Sequence, residues 1–280
     1  MWTTLALMSA LNWAPAQAGQ LELKNARVTY GILGQERKDT SYLPGDMVAL
    51  AFDIEGLTVE NNGQVQYSIS MKLTNAKGEE KYKTDPQVTT AVNTLGGSRL
   101  PAFAMTLIGT DNEPGQYTMT VTVADENAKP KKTTRQLERK FTVKPSQFGI
   151  VRPGFFIVSM NEKGGIAGTQ VAPPVGVPGQ SLLFSFYVTG FTLKGNPEQP
   201  DVSVSMEVKD ESGQTVKMPK PFTGEAKQVD DEARKLRIIP FQLPIQLNRS
   251  GKFKVIVTAE DKLANKTAKE TLDLTVVEVK

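Results

Sequence analysis

Two stretches of this chain read almost the same, about 135 residues apart. Pro44-Gly45 opens a segment that continues through Phe52, Gly56 and Thr58. The pattern returns 134 residues later as Pro178-Gly179, Phe186, Gly190 and Thr192. Over Pro44–Val59 that makes 5 identities in 16, and most other positions keep their apolar or polar character. Tyr67–Leu73 returns, shifted by 135, as Val202–Val208. Gly115–Val121 returns, shifted by 136, as Gly251–Val257, and Asp125 is matched by Asp261. A near-constant offset over some 80 residues requires the chain to build one unit twice. We read residues 19–144 and 155–280 as two tandem domains, joined by a Pro- and Gly-containing linker at 145–154.

Within each unit the hydrophobic period is two. Val48, Leu50, Phe52 and Ile54 alternate with Ala49, Ala51 and Asp53. Tyr67, Ile69, Met71 and Leu73 alternate with Ser68, Ser70 and Lys72, and Tyr117, Met119, Val121 and Val123 alternate with threonines. Phe253, Val255 and Val257 repeat the scheme, as do Leu272, Leu274 and Val276. Such runs are half-buried antiparallel strands. Turn residues such as Pro44-Gly45, Asn62-Gly63, Pro114-Gly115 and Ser250-Gly251 separate them. No window holds a 3.6 period. The expected fold is all-β: two antiparallel β-sandwiches in tandem.

The stretch Asp111-Asn112-Glu113-Pro114-Gly115-Gln116-Tyr117-Thr118-Met119 resembles the late strand of immunoglobulin-like domains, where an acidic residue and Gly precede a Tyr two residues before a core position. The strand running on to Asp125, then a polar hairpin and Phe141-Thr142-Val143, is similar to bacterial immunoglobulin-like, PKD-like and cadherin-like repeats. The resemblance covers about a third of each unit and implies the fold more than the function. Two positions depart from it. Met119 stands where an antibody domain has Cys, and Phe253 replaces Tyr117 in the second unit.

Residues 1–18 carry no charged side chain. An apolar run from Leu5 to Trp13 is followed by Ala16-Gln17-Ala18, small residues at the positions a signal peptidase reads. We expect a signal peptide cut after Ala18, and hence a periplasmic, cell-surface or secreted protein. No later segment reaches the ~18 consecutive apolar residues that a spanning helix needs.

Composition narrows the chemistry. The chain has no His and no Cys, so Ser-His-Asp and Cys-His machinery, zinc, iron–sulfur and haem sites lose their usual groups. Disulfides are excluded. Both Trp, Trp2 and Trp13, lie in the expected signal peptide, so a carbohydrate cleft would lack Trp stacking. A Ser-x-x-Lys pair and a Gly-x-Ser-x-Gly elbow are absent. Gly164-Gly165-Ile166-Ala167-Gly168 is a phosphate loop only in its glycines, and it reads as a turn.

Hard cations remain, and the acidic pairs in expected turns direct attention to calcium. Asp125 and Asp261 are the first candidate ligands because they recur. Lys129, Lys131, Lys132, Arg135, Arg139 and Lys140 fall within twelve residues. They form a candidate binding patch for an anionic partner, or else the charged guard of a sheet edge. Nucleic acid is not expected, since no aromatics interleave these cations. The stretches 84–101, 172–176 and 219–240 read as long loops able to carry binding. We expect no catalytic residue and no cofactor apart from calcium. The function expected is a non-enzymatic binding, adhesion or scaffold protein whose partner is an envelope or surface protein or glycan. A passive envelope spacer and a carboxylate-based hydrolase are the alternatives.

Overall fold

The computed structural model describes residues 20–97, 99–160, 166–217 and 222–278. The expected signal peptide, Gly164-Gly165 and Pro219–Pro221 lie outside them.

The regular structure of the described residues is almost entirely strand. The first half contributes β1 (Glu22–Thr29), β2 (Ser41–Tyr42), β3 (Met47–Glu55), β4 (Gln64–Asn75), β5 (Glu80–Val92), β6 (Arg99–Leu107), β7 (Gly115–Asp125) and β8 (Thr133–Val143). The second contributes β9 (Gly149–Met160), β10 (Ile166–Ala172), β11 (Val175–Gly176), β12 (Ser181–Thr189), β13 (Val202–Lys209), β14 (Phe222–Ala226), β15 (Ile238–Gln246), β16 (Gly251–Asp261) and β17 (Lys266–Val276). One helix, α1 (Asp231–Leu236), lies between β14 and β15.

The duplication read from the sequence is a duplication of topology. The first half has sheets β1-β3-β6 and β2-β8-β7-β4-β5. The second has β9-β12-β15, extended by β10, and β11-β17-β16-β13-β14. Strand by strand the orders coincide, and so do the registers: Tyr67 lies opposite Asp125, and Val202 opposite Asp261. Pairing is antiparallel apart from the two-residue strands β2 and β11, which run parallel to β8 and β17. This connectivity has the immunoglobulin-like form, with the two sheets of each half closing on one core.

The alternation decides which side chains meet. From β3, Val48, Leu50, Phe52 and Ile54 face Met119, Val121 and Val123 of β7 in one buried cluster drawn from Leu21–Val143. A second cluster, from Phe148–Val276, shares no residue with it. Its centre is a chain of rings, Phe155, Phe184, Phe186 and Phe241, with neighbouring centroids 5.2–5.7 Å apart. Full burial of each such ring contributes roughly 1.5–3 kcal/mol. At the start of β7 the Tyr117 hydroxyl donates to the Glu113 carbonyl at 2.8 Å, a tyrosine corner. At the matching position Phe253 has no hydroxyl, and the Arg249 guanidinium lies 5.3 Å from its ring centroid.

Several expectations need correction. The linker expected at 145–154 is mostly strand, since β9 begins at Gly149, and Phe148, Ile150 and Val151 are buried. The expected loop at 84–101 is largely the second half of β5 and the start of β6, with a turn at 93–97. The region 219–240 holds β14, α1 and the start of β15. Its acidic cluster is a helix start. Asp230 caps the helix by accepting from the Ala233 N–H at 2.7 Å, and Asp231 and Glu232 occupy the first turn.

Candidate functional site

Asp125 and Asp261 sit at equivalent points, the ends of β7 and β16, and both are buried. Asp125 Oδ2 accepts from the Thr58 N–H and hydroxyl at 2.8 Å, and Oδ1 accepts from the Asn127 N–H at 3.1 Å. Asp261 Oδ2 accepts from the Thr192 N–H at 2.8 Å, and Oδ1 from the Leu263 and Ala264 N–H groups. Each carboxylate thus clasps the loop after β3 or β12 to the far end of the opposite sheet. This corrects the calcium reading on a physical ground. Calcium needs six to eight oxygen ligands, and these oxygens already face N–H donors that a cation would displace. Among the described residues no group of three or more Asp or Glu could hold a metal. A depression of about 950 Å³ beside Asp125, lined by Glu60, Glu126 and Lys129, is open to solvent.

The six cations do not form one patch. Arg135 and Arg139 alternate in phase with Leu137 and Phe141, so they point toward the other sheet. Arg139 donates to the Ala26 carbonyl at 2.9 Å and bridges the two sheets. Lys140 lies on the solvent face with Gln136 and Glu138. Lys129, Lys131 and Lys132 lie in the β7–β8 turn, where Lys132 pairs with Glu126. Alternation along β8 divides what sequence proximity seemed to group.

The chain gathers buried charge elsewhere, where the halves meet. Asp46, just before β3, is 2% exposed. Its Oδ2 accepts from Arg37 Nη1 at 2.7 Å. Its Oδ1 accepts the backbone N–H groups of Met47 at 2.8 Å and of Arg152, across the junction, at 3.0 Å. Arg37 also donates to the carbonyls of Asp39 and Ser41, and its guanidinium lies 4.1 Å from the Tyr42 ring centroid. Burial pulls the Arg37 pKa down, and the adjoining Asp46 carboxylate more than reverses this, so its charge is held. Burial pushes the Tyr30 and Tyr42 phenols up to about 12. Further bonds cross the junction. Asp273 N–H donates to Gln35 Oε1 at 2.7 Å, Thr189 Oγ1 to the Pro44 carbonyl at 3.3 Å, and Tyr30 OH to Glu270 Oε2 at 3.5 Å. Gly45 is held here by two constraints: its φ is +87°, and a Cβ would lie 2.6 Å from Ile238 Cδ1.

Beside Asp46 lies a cavity of about 230 Å³, lined from both halves. Its walls are mostly apolar: Ile32, Met47 and Met105 on one side, Phe155, Phe156 and Val171 on the other. Arg152 also lines it, with its guanidinium 4.1 Å from the Tyr187 ring centroid. Apolar surface continues outward over both smaller sheets. On the first, the outer side of β6 exposes Phe103, Met105 and Leu107. On the second, Val171, Phe156, Leu183 and Pro244 lie in register across four strands, on the face opposite the buried Phe155 and Phe184. The outer side of an antiparallel sandwich sheet is ordinarily polar.

Sequence reasoning passed over Arg37, Asp46, Arg152 and Tyr187. A signal was present: within the matched segments, Asp46 aligns with Gln180 and Asp53 with Tyr187. Charge that one copy keeps and the other drops marks a local role.

No protein family and no curated protein matches the chain. Solved structures with weak likeness include a red sea bream transglutaminase, at TM-score 0.26 and 10% identity over 94% of this chain and 32% of its own. The C-terminal domain of a Streptococcus agalactiae AgI/II polypeptide, BspA, aligns at TM-score 0.27 and 8% identity, over 91% of this chain and all of its own. An Escherichia coli alpha-2-macroglobulin aligns at 0.31 and 10%, over 92% of this chain and 17% of its own. Likeness at this level assigns no function.

Proposed function

We propose that the protein is an exported, non-enzymatic binding or adhesion module of the cell envelope or surface, engaging a partner through the outer face of its two smaller sheets. The observation that carries this reading is the apolar outer surface of β6. Phe103, Met105 and Leu107 are 44%, 40% and 54% exposed, in line, on a strand whose inner residues already fill the core. A contiguous exposed apolar face on the outer side of a sandwich sheet favours a partner. The exported location rests on the signal-like leader.

The test is saturable capture from the producing cell's envelope fraction, compared between the native protein and Phe103→Ser/Leu107→Ser. Both side chains point away from the core, so the fold should persist. Binding is expected to weaken by about tenfold or more. Undiminished capture by the variant would remove this face from the reading.

The cross-junction bonds favour a second reading, a stiff spacer. Small-angle scattering would then give a single elongated envelope for the native protein, with no saturable partner.

A further inference from the structure

We propose that the junction cavity is a binding site for a small apolar carboxylate of about benzoate size, with the carboxylate paired to Arg152. The inference goes beyond the partner-binding reading, and it rests on comparing the two copies of the repeat at one bulge.

In the first half, β1 bulges between Lys24 and Arg27, where it pairs with β3. The bulge residue, Asn25, has φ +51°. In the second half, β9 bulges at the matching place against β12, where the register breaks between Ser185 and Tyr187. The bulge residue there is Arg152, also at φ +51°. A left-handed conformation at a residue other than Gly is costly and persists only where the surroundings enforce it. Both copies keep it.

The chemistry around the two bulges differs. Asn25 Nδ2 donates to Asp53 Oδ2 at 2.6 Å, and Arg99 Nε pairs with the same oxygen at 2.9 Å. The first bulge therefore contains a buried carboxylate, and its cation is matched. In the second copy the position of Asp53 is taken by Tyr187 and that of Arg99 by Ile238. The carboxylate is gone, yet a cation now stands on the bulge. Among the described residues no carboxylate lies within ion-pair distance of Arg152, and its buried Nε has no hydrogen-bond partner. Asp46 attracts the Arg152 guanidinium through space but takes no hydrogen bond from it, because its oxygens are taken up by Arg37 and by backbone N–H groups.

A guanidinium with a buried, unpartnered N–H is expensive to maintain. Here it borders the cavity between the halves, whose other walls are mostly apolar and whose two further charges, Arg37 and Asp46, are paired with each other. An anion with an apolar body would supply the acceptor that the first copy supplies from Asp53. Guanidinium and carboxylate also match in planar, two-pronged geometry. Size follows from volume: about 150 Å³ accommodates benzene, so 230 Å³ accommodates about nine heavy atoms.

The test is calorimetric titration of the intact protein with sodium benzoate, with benzamide as the neutral isostere. One saturable site is expected for benzoate. Benzamide should bind about tenfold or more weakly, and so should benzoate to Arg152→Gln. Arg249→Gln, on an arginine away from the junction, should bind benzoate normally. Should Arg152→Gln not fold, Met105→Trp narrows the cavity mouth at a side chain 40% exposed and should also abolish binding. Phe103→Ser/Leu107→Ser should keep benzoate affinity, so failure of the partner-binding reading leaves this one standing. The proposal is overturned by the absence of saturable binding at millimolar benzoate, by equal binding of benzamide, or by full affinity in a folded Arg152→Gln.

Discussion

The two recurring aspartates have a mechanical task. Asp125 and Asp261 each hold three donors, so removing one carboxylate strands several buried N–H groups at once. Each unmet group costs about 1–3 kcal/mol, part of it recovered through water. Asp125→Ala and Asp261→Ala are therefore each expected to lose about 2–4 kcal/mol in urea unfolding. Asn at either position keeps one acceptor oxygen and should lose less. Calcium should leave the unfolding midpoint of the native protein unchanged, and a calcium-dependent rise would restore the ligand reading. The recurrence of these residues was legible in the sequence. Their role was not, because a carboxylate saturated by N–H groups and one awaiting a cation look alike until the loop that reaches them is known.

At the scale of elements, the edges deserve the closest reading. β15 is an edge strand of its sheet, and it contains Pro240 and Pro244, opposite Tyr187 and Leu183. β6 contains Pro101 and β5 contains Pro86, and both are edges too. Proline cannot donate to a ladder, so at an edge it denies an incoming strand its hydrogen bonds. Pro240→Thr/Pro244→Thr is expected to stay folded but to associate with rising concentration, as read by sedimentation velocity. A variant that stays at native size at all concentrations would show that these prolines do not guard the edge. Pro86 and Pro101 also explain why 84–101 read as a loop. Pro penalises a strand reading in the abstract, and only the sheet order reveals which strands have a free side.

For the whole molecule, hydrogen bonds tie the two halves across the junction, and their energetics depend on pH. Glu270, in β17, faces Tyr30, Arg37, Asp46 and Asp39 across the gap. Burial raises its pKa, and it does so despite the pull of Arg37 and of the Tyr30 hydrogen bond. A carboxyl raised on folding costs nothing while it is protonated in both states. It costs stability once pH has risen through its folded pKa. Glu270→Gln should thus be more stable than the native protein at pH 7, with the difference vanishing by about pH 4. Thermal unfolding at the two pH values measures it. An equal or lower midpoint for the variant at pH 7 would mean that the ionised carboxylate stabilises the junction.

The sequence by itself determined the duplication, the all-β class and the inward face of most strands. Those properties follow from local period and from a constant offset, and both are written along the chain. The tyrosine corner at Tyr117 and the turn glycines belong with them, because each acts within a few residues. Only the tertiary structure decided where buried charge gathers. Arg37, Asp46, Arg152 and Tyr187 come from separate strands and loops and meet because the two halves touch there. It also split the cations of β8 between two faces and gave the proline-bearing strands their places at the edges. These outcomes depend on which strand neighbours which, and the free energy that fixes that order is shared among contacts far apart in the chain.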